Sequence, residues 1–103
     1  MNIKKLSDID FHDSSLLSIA LDWSSGELKI SFKLSDVHAT AVTLLAKETN
    51  LFVCKRDFPW GKSVSINEVA VEEKEAFRRI LVRVQSGDDL EIGCRDAFVR
   101  VEP

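Results

Sequence analysis

The chain has 103 residues, enough for a single domain spanning 1–103 around one hydrophobic core. Hydrophobic residues make up 45% and charged ones 30%, which excludes a disordered or fibrous chain. The net charge is −3, and neither half carries a one-signed field: five Lys and Arg stand against seven acids up to residue 50, and nine against ten after it.

With no basic cluster to displace counterions from a phosphate backbone, DNA or RNA is not expected as a partner. No apolar run nears the roughly 20 residues that cross a bilayer, so no membrane association is expected. Polar and acidic residues interrupt "MNIKKLSDID", which lacks the apolar stretch of a secretion signal and makes the cytoplasm the expected address.

In chain order, the first candidate site is "DFHDSS", residues 10–15, which sets His12, Asp13 and Ser14 side by side. These are the residue types of a hydrolytic triad. A triad needs the imidazole between nucleophile and orienter, and consecutive residues of an extended chain alternate faces, so Asp13 would point away from the other two. The stretch also lacks the glycine-flanked elbow that exposes a nucleophile. Structural roles fit better: Asp13 accepting from the Ser15 amide to cap a turn, and His12 bonding a backbone carbonyl. A ligand or partner contact by His12 and Asp13 is the alternative.

"LLSIALDW" follows, with Leu17, Ile19, Leu21 and Trp23 in one phase, and places Trp23 in the core. "ELKISFKL" then alternates strictly, Leu28, Ile30, Phe32 and Leu34 against Glu27, Lys29, Ser31 and Lys33. The intervening Ser24-Ser25-Gly26 predicts a hairpin whose glycine takes a left-handed bulge position. "HATAVTLLA" and "NLFVCK" read as strands separated by a bend at 48–50. His38, with no acidic partner in view, reads as a surface or capping residue.

Residues 57–67, "DFPWGKSVSIN", place Pro and Gly at the second and fourth positions of a type I turn that presents Trp60 at a corner. Trp60 is either a lid over the core, with Phe58 beside it, or an exposed anchor for a partner. In "SVSINEVAVEE", Val64 and Ile66 share one phase, and Val69 and Val71 the other. That switch predicts a bulge near Asn67-Glu68. A helix over 67–80 is the competing reading, because Ile66, Val69, Ala70, Phe77, Ile80, Leu81 and Val84 also fit a 3.6-residue period.

"RILVRVQ", the turn "SGDD" and "LEIGC" make a second hairpin, with Asp88 and Asp89 solvating its turn. "FVRVE" is a last strand. The expected fold is therefore mainly β: an antiparallel β-sandwich or open barrel of six to eight short strands, with α+β as the alternative if 67–80 is helical. Cys54 and Cys94 read as free, mostly buried thiols. His12, His38, Cys54 and Cys94 lack metal-ligand spacing, so neither a metal nor another cofactor is expected.

Three phrases, "FHDSSLLSIAL", "FPWGKSVSIN" and "VQSGDDLEIGC", resemble a group of small bacterial domains with FHDS, FPWG-S-x-IN and QSGD motifs. The likeness runs over about 11–94, and the group looks like the polymorphic-toxin immunity proteins: small, cytosolic, non-enzymatic and mainly β. It implies a protein-interaction domain, not an enzyme, with a toxin as protein partner. The motif positions it points to for binding are His12, Asp13, Ser14, Trp60, Ser63 and Asn67. The alternative is a small-molecule or carbohydrate-binding domain using His12, Asp13 and Trp60. Pairing of an exposed strand edge into a homodimer is a further expectation.

Overall fold

Strict alternation becomes strand geometry in the computed structural model, which describes residues 3–56 and 65–102. The stretch Glu27–Lys33 is strand β3, with Leu28, Ile30 and Phe32 fully buried on one face and Lys29 and Lys33 in solvent on the other. It lies in a five-stranded antiparallel sheet with β1 (Ile3–Lys4), β2 (Ser15–Asp22), β4 (Ala41–Lys47) and β9 (Asp96–Val101), in the order β1-β9-β4-β3-β2. A 3-10 turn, Leu6–Asp8, follows β1. The second sheet holds β5 (Leu51–Cys54), β6 (Ile66–Glu73), β7 (Arg78–Val84) and β8 (Asp89–Cys94), in the order β5-β8-β7-β6.

The two sheets do not close into a barrel. They face each other as a β-sandwich around a core that includes Phe32, Leu44, Ile66, Ile80, Ile92 and Val99. Nine strands occur among the described residues, one more than the upper expectation, because the two-residue β1 leaves too short a pattern to recognise.

One two-stranded ribbon joins the layers. β4 and β9 pair in the first sheet, and their continuations β5 and β8 pair in the second. At the corner the Arg95 amide donates to the Lys47 carbonyl at 3.0 Å, and the Asn50 amide to the Gly93 carbonyl at 2.8 Å. Strands that bend from one sheet into the next are how steeply crossed sandwiches make their corners. The bend needs Glu48 at φ +49° and a glycine at 93, where a Cβ would sit 3.1 Å from the Leu51 Cβ.

β6 starts at the Ser15 corner of the first sheet, through the Ser15–Ser65 bridge, and ends across a cleft from Asp96 and Ala97.

The predicted bulge is present: register between β6 and β7 shifts between Ile66 and Glu68, with Asn67 as the extra residue. A helix over 67–80 does not form. β6 and β7 are a hairpin closed by the Lys74 amide donating to the Phe77 carbonyl at 2.9 Å. Strand pairing sets Val69 opposite Val82 and Val71 opposite Ile80 on one face, with Val82 and Ile80 buried, while Arg83–Glu68 and Arg78–Glu73 pair across the strands.

Four further expectations are corrected. β2 carries its own bulge between Leu16 and Ser18, so Leu16 and Ile19 face inward opposite Phe32 and Ile30, and Leu17 is 58% exposed. The first hairpin loop is 23–26, not 24–26: Asp22 accepts at its side chain from Ser24 and Ser25 and at its carbonyl from Gly26. Strand alternation therefore stops before Trp23, which is 90% exposed instead of buried. The third correction is Cys54, which is exposed on an edge strand, whereas Cys94 is buried and burial pushes its thiol pKa up. In the second hairpin turn, finally, Asp88 is buried.

Candidate functional site

The FHDS stretch folds as a tight turn, not as extended chain. The Ser14 amide donates to the Phe11 carbonyl at 2.9 Å, and Asp13 has φ +63°. Positive φ at the second central residue alone is the type II pattern, and aspartate tolerates it better than most side chains. Phe11 anchors the turn from below: it is 4% exposed and meets Phe32 edge-on, ring centres 5.0 Å apart.

This turn is tied to residues more than fifty positions away. The Asp13 amide donates to the Ile66 carbonyl at 2.8 Å, and the Ile66 amide to the Ser14 carbonyl at 2.8 Å. The His12 ring shares a hydrogen bond of 3.0 Å between Nδ1 and the Asn67 carbonyl, in the bulge of β6. The Asp13 carboxylate accepts from Gln85 Nε2 at 2.7 Å. The Gln85 amide in turn donates to the Ser65 carbonyl. Three segments thus meet at one corner: 11–14, 65–67 and 85. Ser35 adds a fourth, its hydroxyl donating to the His12 carbonyl.

Of the six residues singled out for binding, four come together: His12, Asp13, Ser14 and Asn67. Trp60 and Ser63 lie outside the described residues, as does the whole turn at 58–61. Gln85 is the member missed. Its signal was its place next to the "SGDD" turn, but nothing local says which side chain reaches Asp13 across 72 positions. The expected bond from the Ser15 amide to Asp13 is not made; Asp10 does the local capping instead, its carboxylate accepting from the His12 amide at 3.0 Å. The expectation for His12, a backbone carbonyl partner, is met.

The arrangement does not assemble a nucleophile. His12 Nε2 stands 3.5 Å from the Asp13 carboxylate, with both side chains more than half exposed. Ser14 is fully buried, and its hydroxyl has no hydrogen-bond partner among the described residues. Imidazole and hydroxyl therefore face different surroundings. Among the described residues no three His, Cys, Asp or Glu side chains gather where they could hold a metal ion.

What the corner can do is hold a proton. The carbonyl of Asn67 fixes the imidazole, and with the nearby charges of Asp13 and Asp10 it raises the His12 pKa above its ordinary value of 6.5. A group with a raised folded pKa stabilises fully below its unfolded value and loses that contribution as pH rises through the folded value. The melting temperature should therefore fall as the pH is raised past the ordinary histidine value of 6.5. That fall should be absent from a His12→Gln variant melted over the same range. The effect is expected to be small, because the ring and the carboxylate face water.

At the far end of β2, Trp23 caps the first hairpin. Ser24 and Ser25 lock this loop onto Asp22, and the Ser24 hydroxyl leads in holding the Asp22 carboxyl below the usual carboxylate range. Gly26, at φ +73°, closes it and accepts at its carbonyl from the Thr49 amide. Leu21, 39% exposed, lies two residues before Trp23. The signal that could have exposed Trp23 is the Asp-x-Ser-Ser-Gly spacing, which starts the turn at Asp22.

The sequence matches no family model and no curated protein. In fold, the chain is similar to an uncharacterized protein from Neisseria gonorrhoeae known from its crystal structure, with a TM-score of 0.66 over 91% of this chain and 94% of that one. The two are 17% identical, a likeness of fold alone. No helix among the described residues is long and apolar enough to cross a membrane.

Proposed function

We propose that this chain is a non-catalytic protein-binding domain, of the kind that neutralises a toxin partner in the cytoplasm. The observation that carries the reading is Trp23, 90% exposed on a turn held rigid by its own side-chain hydrogen bonds. A large aromatic presented at little entropic cost is the usual centre of a protein interface. The motif likeness to immunity-type domains supports the same class. The His12 corner is by contrast mainly a staple, since most of its bonds run to backbone and join three distant segments.

The test is co-expression with the products of the flanking genes. The wild-type chain should restore growth to cells arrested by one of them and bind it in calorimetry. Trp23→Ala should weaken that binding by roughly 30-fold, the equivalent of about 2 kcal/mol for an interface anchor, with unchanged circular dichroism. Undiminished binding by Trp23→Ala removes Trp23 from the interface.

The small-molecule or carbohydrate reading draws on the open edges of His12 and Asp13, 60% and 58% exposed. It is favoured instead if no flanking product binds and a saccharide shifts the His12 ring resonances.

A further inference from the structure

Among the described residues the edge of β6 is unpaired over 69–73. Lys74 and Phe77 form a hydrogen-bonded pair, so by antiparallel alternation Glu72 and Ala70 also bond to β7. The amides and carbonyls of Val69, Val71 and Glu73 then point away from the sheet. At the start of the strand the equivalent outward groups of Ile66 are taken by Asp13 and Ser14. No backbone partner for Val69, Val71 or Glu73 exists on that side among the described residues.

Beside this free edge lies a cleft of about 510 Å³, between β6 and the segment formed by β1 and its 3-10 turn. Ile80 and Ala97, both buried, and Phe98 give it an apolar lining, with Leu6 opposite. Two of the larger exposed apolar side chains flank it, Ile3 at 49% and Val71 at 40%. Arg78 pairs with both Glu73 and Asp96 at one end, and Lys4 and Lys5 line the β1 side.

We infer that this cleft receives an extended peptide strand of a protein partner, added to the β6 edge. A row of outward main-chain groups beside an apolar trough is what strand addition requires: the ladder supplies affinity, and alternate side chains fill the trough. Charge decides the occupant. The outer face of β6 carries Glu68, which pairs with Arg83, and Glu72, whose one ion pair among the described residues is with Lys74 at 3.9 Å. A second copy of β6 would bring more glutamates to the same face, whereas a strand with Lys or Arg at those positions is attracted. The occupant is therefore an apolar–basic alternating segment. This inference does not depend on the Trp23 surface, which lies on the β2–β3 hairpin.

The probe is a blocked hexapeptide, Lys-Val-Lys-Val-Lys-Val, titrated into the full chain and followed by NMR and amide exchange. Amides of Val69, Val71 and Glu73 should become protected at least tenfold on saturation, while those of Ala70 and Glu72 change little. Val71→Pro removes one outward donor, and proline is tolerated where an edge N–H faces solvent. It should weaken uptake at least tenfold, and Val71→Lys, which turns a charge into the trough, should do the same if the proline variant does not fold. The inference is overturned if shifts map elsewhere, if a Glu-Val alternating peptide binds equally well, or if light scattering shows the free chain already dimeric with these amides protected.

Discussion

Replacing Phe32 with alanine should cost about 3–5 kcal/mol and lower the melting temperature by well over 10 °C. Phe32 is fully buried near the end of β3, paired with Leu16 on the edge strand β2 on one side and Val42 on the central strand β4 on the other. Its ring also carries Phe11 edge-on, so truncation removes the seat of the turn that holds His12 and Asp13. The cavity would be bounded by strand backbones in two sheets, which limits relaxation and puts the cost toward the upper part of that range. Chemical denaturation checks the magnitude. Histidine ring resonances check the coupling: the His12 signal should lose its bonded position in the variant well below the unfolding midpoint, where β7 and β8 still hold their amide protection. A loss under about 1.5 kcal/mol would mean that the core around Phe32 collapses freely.

Gly93→Val should be nearly as damaging, by a different route. A Cβ at 93 would fall 2.7 Å from Asn50 Oδ1 and 3.1 Å from the Leu51 Cβ. The asparagine oxygen can swing aside, but the Leu51 Cβ is fixed to the backbone of the paired strand, so β5 must move away from β8. That opens the corner where the ribbon passes between sheets. Overpacking of this kind typically costs about 1–3 kcal/mol, and the two added methyl groups of valine place it at or above the top of that range. Gly93→Ala should cost less, and Asn50→Ala should relieve part of the alanine penalty but little of the valine one. A double-mutant cycle measured by denaturant unfolding separates the two contacts. If Gly93→Val melts within 2 °C of wild type, the corner is softer than its geometry implies.

The β-sandwich was legible where each residue's fate depends on its neighbours. Leu28, Ile30 and Phe32 alternate with polar residues, so one face must be dry, and the Val69–Val71 phase switch marked the bulge at Asn67 before any coordinates. Trp23 and Cys54 were misjudged for related reasons. Trp23 continues an apolar phase but falls just past the residue where the turn begins, and Cys54 sits on a strand whose edge position follows only from the order β5-β8-β7-β6. The candidate site was half visible. The residue types at 12–14 and 67 stood out, but that His12 meets Asn67 and Asp13 meets Gln85 was not readable, since contacts 55 and 72 positions apart depend on strand order and register.

By itself, then, the order of residues determined the local periods: most of the strand segments, the bulge near Asn67, the two hairpin turns, and that one core would bury their apolar faces. Those outcomes follow from the two-residue repeat of extended backbone and from the left-handed preferences of Gly26 and Gly87. Only the tertiary structure decided that β4 and β9 turn a corner together, that Ser14 is buried while His12 is exposed, that Trp23 stands in water, and that 69–73 of β6 have no edge partner among the described residues. Each is a matter of which strands become neighbours. Many pairings would satisfy the same alternation, and packing of the whole core selects among them.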